Sequence, residues 1–130
     1  MKRQIVSAFI LLFIINTLLA SLRTFAQTTP DKEDNSVRLM SYNIRNARGL
    51  DNITNYDRIA NVILETAPDI IGIQELDSVT GRSKGVDVLD ILSRETLMYP
   101  TYAASIDYDG GKYGIGVLSK EKPINVIKVP

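Results

Sequence analysis

The chain has 130 residues, 45% of them hydrophobic, with 15 basic side chains matched by 15 acidic ones and neither histidine nor cysteine. Without cysteine there are no disulfides, no thiolate metal sites and no lipid anchor made through a cysteine after the leader. The balanced charge argues against a broadly basic nucleic-acid surface, and the composition is that of one modest globular domain.

Lys2 and Arg3 precede an apolar run from Ile5 to about Leu22, and Thr24-Phe25-Ala26 then offers small residues at the third and first places before a cut. These are the parts of a secretory signal peptide over residues 1–26, with cleavage expected after Ala26. The rival reading is an uncleaved membrane anchor, since the run approaches the ~20 residues that a spanning helix needs. Either reading places the domain outside the cytoplasm, secreted or periplasmic. Loss of Lys2, Arg3 and Arg23 leaves 12 basic against 15 acidic side chains, a formal charge of −3. Residues 27–36 (QTTPDKEDNS) are polar and rich in breakers, and read as a flexible spacer before a domain over 37–130.

The domain opens on a β-rich stretch, VRLMSYNI, expected as a central strand with Leu39, Ser41 and Asn43 on one face and Met40, Tyr42 and Ile44 on the other. Arg45 to Asn55 is a loop dense in Asn, Arg and Gly, long enough to shape a site. From Tyr56 to Thr66 apolar residues recur at helical spacing, with Thr54 or Asn55 as the cap and Pro68 as the stop. Asp69 to Glu75 (DIIGIQE) reads as a strand buried on both faces, ending in the carboxylate of Glu75. An acid at the C-terminal end of such a strand is a candidate metal ligand or base; the bland alternative is a charged residue marking where the strand meets water. A second amphipathic helix is expected over Val86 to Leu97, with Val88, Leu89, Ile91 and Leu92 toward the core. Thr101–Tyr108 and Tyr113–Ser119 read as a hairpin joined through Asp109-Gly110-Gly111, and Ile124 to Val129 as the start of another strand.

Three pieces go beyond a generic α/β pattern: Tyr42-Asn43-Ile44-Arg45, Ile73-Gln74-Glu75, and Gly111-Lys112-Tyr113-Gly114-Ile115-Gly116-Val117-Leu118-Ser119. In this order and spacing they resemble the N-terminal half of the endonuclease/exonuclease/phosphatase superfamily. The resemblance implies an α+β fold, an α/β sandwich, of which this would be the first half of four layers: a mixed sheet, two helices outside and a Tyr113–Ser119 hairpin strand. It implies that Glu75 holds Mg2+, with Mn2+ or Ca2+ as alternatives. Asn43 would help hold the metal region through its hydrogen bonds; Arg45, directly after the Asn-Ile pair, is a candidate phosphate donor weighed against a solvated surface arginine. Magnesium suits such a site because it keeps several waters and takes one or two carboxylates. Arg48 and Arg82 are further candidate phosphate donors, weighed against ordinary solvated arginines. Many relatives carry asparagine where Ile115 stands.

The superfamily's later motifs, an Asp-x-Asn triplet and an Asp-His pair, are not in this sequence. The expectation is therefore the N-terminal part of an exported metal-dependent phosphoesterase, inactive as this piece, acting on a phosphodiester or phosphomonoester. Nucleic acid is a possible substrate but not a favoured one, a membrane is a partner only if the leader is retained, and the C-terminal half is needed for the complete site. The alternative is a non-catalytic binding or assembly module of the same fold. A nucleotide-binding domain is disfavoured: neither Gly-x-Gly-x-x-Gly nor a Walker-type loop occurs.

Overall fold

The computed structural model describes Glu33 and residues 35–129. The expected signal peptide, its cleavage point and most of the expected spacer lie outside the described residues. Strand β1 (Leu39–Asn43) leads through a tight turn (Arg45–Ala47) to helix α1 (Tyr56–Thr66) and strand β2 (Ile70–Ser78). Helix α2 (Val88–Thr96) and the strands β3 (Tyr99–Tyr108) and β4 (Gly111–Ser119) follow. The strands form one mixed sheet in the order β1-β2-β4-β3, with β1 parallel to β2 and β4 antiparallel to both neighbours. A parallel pair needs a crossover, and α1 supplies it.

Both helices sit where their periodicity puts them because their ends are capped. The Asn55 side chain accepts a hydrogen bond from the Arg58 N–H at 2.8 Å, and the Asp87 side chain accepts one from Asp90 at 3.1 Å. At the far end of α1, Ala67 turns left-handed before Pro68, and the Arg38 guanidinium donates to the Thr66 carbonyl at 2.8 Å. A cation is favoured at that end of the helix dipole. α1 contributes Ile59 and Ile63, and α2 contributes Val88, Leu89 and Leu92, to one core built on Ile71, Ile73, Leu76 and Leu118 of the sheet. Gly116 lets α2 approach: a Cβ there would lie 2.6 Å from Leu76 and 2.8 Å from Leu89.

Several sequence expectations need correcting. Among the described residues β1 lies at the edge of the sheet, with β2 as its neighbour. β2 is covered on one face: Ile71 and Ile73 are fully buried while Ile70 is 42% exposed. Its run of isoleucines reads as doubly buried, but both helices pack on the same side. On the other side Leu39, Ile70, Ile115 and Val117 form an open apolar face. Within α2, which starts at Val88, two residues later than expected, Ile91 is only half-buried while Val88, Leu89 and Leu92 are buried. Finally, Ile124 to Val129 joins no strand; Ile124, Ile127 and Val129 are exposed.

The expected hairpin forms around a shorter turn, since β4 already starts at Gly111: Asp109 and Gly110, at φ of 46° and 79°, are the two positive values of a tight type I′ turn. One side chain in the sheet lacks satisfaction. The Tyr102 hydroxyl is buried without a hydrogen-bond partner, and burial raises its pKa first, with Asp87 and Asp77 adding to the shift. An unmade buried hydrogen bond costs about 1–3 kcal/mol. Tyr102→Phe is therefore expected to raise the unfolding free energy by about 1 kcal/mol in urea titration; a loss of stability would mean that the hydroxyl has a partner after all.

Candidate functional site

Strand β2 does not end at Glu75 but passes it. Ile73 pairs with Gly116 and Leu76 with Gly114, so Gln74 and Glu75 together face Ile115. That is a β-bulge, a device that re-aims side chains. Glu75 takes φ = 61°, a left-handed conformation that costs a residue with a Cβ roughly 1–2 kcal/mol. Such strain concentrates at functional positions.

Asn43 closes the geometry from the neighbouring strand, where it is in register with Gln74. Its Nδ2 donates to Glu75 Oε1 at 2.8 Å, and its Oδ1 accepts the backbone N–H of Arg45 at 3.0 Å. The Arg45 N–H can only donate, which fixes the amide with its nitrogen toward the carboxylate. The two side chains singled out in the sequence thus meet directly. Asn43 steers the carboxylate, while the second carboxylate oxygen is the group with metal-binding chemistry.

The turn that follows Asn43 is itself left-handed. Arg45, Asn46 and Ala47 have φ of 48°, 55° and 58°, three successive residues in a region that asparagine tolerates and arginine and alanine do not favour. Ala47 is buried, and its carbonyl accepts the Asn55 N–H at 2.9 Å. Arg45 is exposed immediately beside the Asn43–Glu75 pair. Further along, Asp51 accepts from Arg58 Nη2 at 2.9 Å, which lowers the Asp51 pKa and ties the loop to α1.

Arg82 has a different place from the one its sequence suggests. Its guanidinium is held by Asp77 through Nε at 2.7 Å and Nη2 at 2.9 Å, and Nη2 also donates to Asn46 Oδ1 at 2.6 Å. It lies over the Tyr108 ring at 4.5 Å and the Tyr113 ring at 5.3 Å. Asp77 is 2% exposed, and its hydrogen bond raises the Arg82 pKa further. Burial raises the Tyr113 pKa, with the Glu75 carboxylate as the second cause, so that phenol stays protonated. Arg82 is therefore committed to structure, not left as a spare phosphate donor. Sequence reasoning missed Asp77 and Asn46: the Asn46–Arg82 contact spans 36 positions, and no spacing rule reaches that far.

Asn46, Asp77 and Arg82 line a polar cleft of about 210 Å³ together with Arg48, Asn52 and Tyr56, and Asn43 and Glu75 are not among its lining residues. Among the described residues no three His, Cys, Asp or Glu side chains converge, so a cage built wholly from protein ligands is not formed by them. One carboxylate with a steering amide suits a cation that keeps its waters, as Mg2+ does.

A sequence profile described as the Endonuclease/Exonuclease/phosphatase family matches residues 40–130. The chain belongs to that family. No curated protein matches the chain. Among solved structures it is similar to an endonuclease/exonuclease/phosphatase from Beutenbergia cavernae DSM 12333, at 21% identity and a TM-score of 0.56 over 69% of this chain. It is also similar to an endonuclease/exonuclease/phosphatase family protein from Leptotrichia buccalis C-1013-b, at 17% identity and a TM-score of 0.53 over 67% of this chain. The chain spans 27% and 39% of those two proteins. At these identities the two structures support the fold: a mixed four-stranded sheet with two helices in the endonuclease/exonuclease/phosphatase manner.

Proposed function

We propose that this chain supplies the metal-binding half of an exported phosphoesterase that hydrolyses a phosphodiester or phosphomonoester. The observation that carries the reading is the Asn43–Glu75 hydrogen bond at a bulge where the glutamate backbone is held left-handed. Membership of the family supports hydrolysis as the class of activity.

Glu75 would hold Mg2+, or Mn2+ or Ca2+ in its place, which when bound stabilises charge developing on the phosphate and the leaving oxygen. Asn43 keeps the Glu75 carboxylate from rotating, so the ligand is preorganised and not recruited. Arg45, exposed and bonded through its backbone N–H to Asn43, would donate charge-assisted hydrogen bonds to a substrate phosphate. A water-activating base and further donors for the phosphate oxygens are required; the family's later motifs supply them, and the open face of Leu39, Ile70, Ile115 and Val117 is where we place the second sheet of a sandwich. Export rests on the leader, through the charge and apolar pattern of residues 1–26.

The test uses the complete gene product. Hydrolysis of bis(p-nitrophenyl) phosphate is expected to stop on dialysis against EDTA and return on adding Mg2+ or Mn2+. Activity that survives chelation would remove the metal from the proposal.

A further inference from the structure

The left-handed turn after Asn43 poses a mechanical problem. Asn43 is oriented by the N–H of Arg45, the first residue of that turn, so the amide that steers Glu75 is only as well placed as the turn itself. Within the turn, the Ala47 carbonyl is tied to Asn55 and the Arg45 carbonyl accepts the Arg48 N–H at 2.9 Å. Its middle residue, Asn46, is tied by its side chain to Arg82, which stands on Asp77. Asp77 is on β2, two residues beyond Glu75.

We infer that Arg82 is a positioning residue for the Asn43–Glu75 pair, acting as a clamp between Asp77 and Asn46. The guanidinium joins the strand that carries Glu75 to the turn that aims Asn43, so one rigid fork sets the distance between the two halves of the site. The geometry of arginine suits the task. Nε and Nη2 grip both Asp77 oxygens while Nη2 also reaches Asn46, and the Tyr108 and Tyr113 rings hold the plane from the side. Neutralising Asp77 alone would need no contact with Asn46. The clamp itself follows from the coordinates, and its effect on metal affinity rests on the proposed function.

Asn46→Gly separates the clamp from the ion pair. It leaves Asp77–Arg82 intact and glycine is at home at positive φ, so folding is retained while the tether is cut. In the intact protein, the Asn43 side-chain amide protons are expected to lose their downfield shift and exchange protection in 15N-resolved spectra without metal. Mn2+ affinity, measured by electron paramagnetic resonance, is expected to weaken about tenfold, the lower range for loss of a group that orients a metal ligand. Arg82→Lys keeps a cation opposite Asp77 but gives up the fork, and is expected to lose the same Asn43 signal. Asn46→Asp keeps the acceptor and is expected to retain it. If Asn46→Gly and Arg82→Lys both leave the Asn43 amide as in the parent, the clamp is overturned. If the amide shifts but the parent itself binds no Mn2+, the clamp stands and the metal-dependent reading falls.

Discussion

Glu75→Gln is expected to lower metal-dependent phosphodiester hydrolysis by the complete gene product on the order of 10²–10³-fold, because a metal's stabilisation of transition-state charge is several kcal/mol and each 1.36 kcal/mol is tenfold in rate. The substitution is chosen for what it keeps. Glutamine has the same length, and its Oε1 can still accept the Asn43 hydrogen bond that the glutamate accepts at 2.8 Å. Only the charge that would bind a divalent cation is lost. The circular dichroism spectrum should therefore be unchanged while Mn2+ binding and turnover fall together. Parent-like turnover and Mn2+ affinity in this variant would take Glu75 out of the metal site and leave the Asn43 contact as a strand-to-strand tie.

The largest stability effect is expected at Arg82. Asp77 is 2% exposed while its partner is 37% exposed, so Arg82→Gln strands a carboxylate in the interior. Removing one partner of a buried pair destabilises by roughly 3–5 kcal/mol, because the remaining charge is left uncompensated. The partial exposure of Arg82 places the expectation at the lower end, about 3 kcal/mol, read from the urea midpoint at constant slope. Adding Asp77→Asn removes the stranded charge, so the double variant is expected to be more stable than Arg82→Gln alone, and the double-mutant cycle should report strong coupling. A single variant within about 0.5 kcal/mol of the parent, the range of ordinary surface substitutions, would show that the pair carries no structural weight.

The two predictions separate chemistry from scaffold on one strand. Glu75 and Asp77 are both acids of β2, two residues apart. Their surroundings differ: Glu75 meets the Asn43 amide at the bulge, and Asp77 is buried against the Arg82 guanidinium. The extra residue between Ile73 and Leu76 sets Gln74 and Glu75 together against Ile115.

Local signals in the chain sufficed for the first helix and the hairpin turn, though not for the bounds of β2 and α2 or for Ile124–Val129, which joins no strand. Asn55, Pro68 and the apolar spacing between them set α1 to the residue, and Asp109-Gly110 set the hairpin turn, because caps and turns are decided by a few neighbouring residues. Glu75 was legible as an acid closing an apolar run, and Asn43 only through the resemblance of Tyr42-Asn43-Ile44-Arg45 to the family's pattern. What the sequence left open was everything that depends on non-local pairing. β1 at the sheet edge, the single covered face of β2, the left-handed backbone of Glu75 and Arg45–Ala47, and the Arg82 fork all arise from contacts between segments far apart in the chain. Such contacts follow from how strands register and helices pack in three dimensions, and a pattern of period two or 3.6 cannot encode which distant residue a guanidinium will meet.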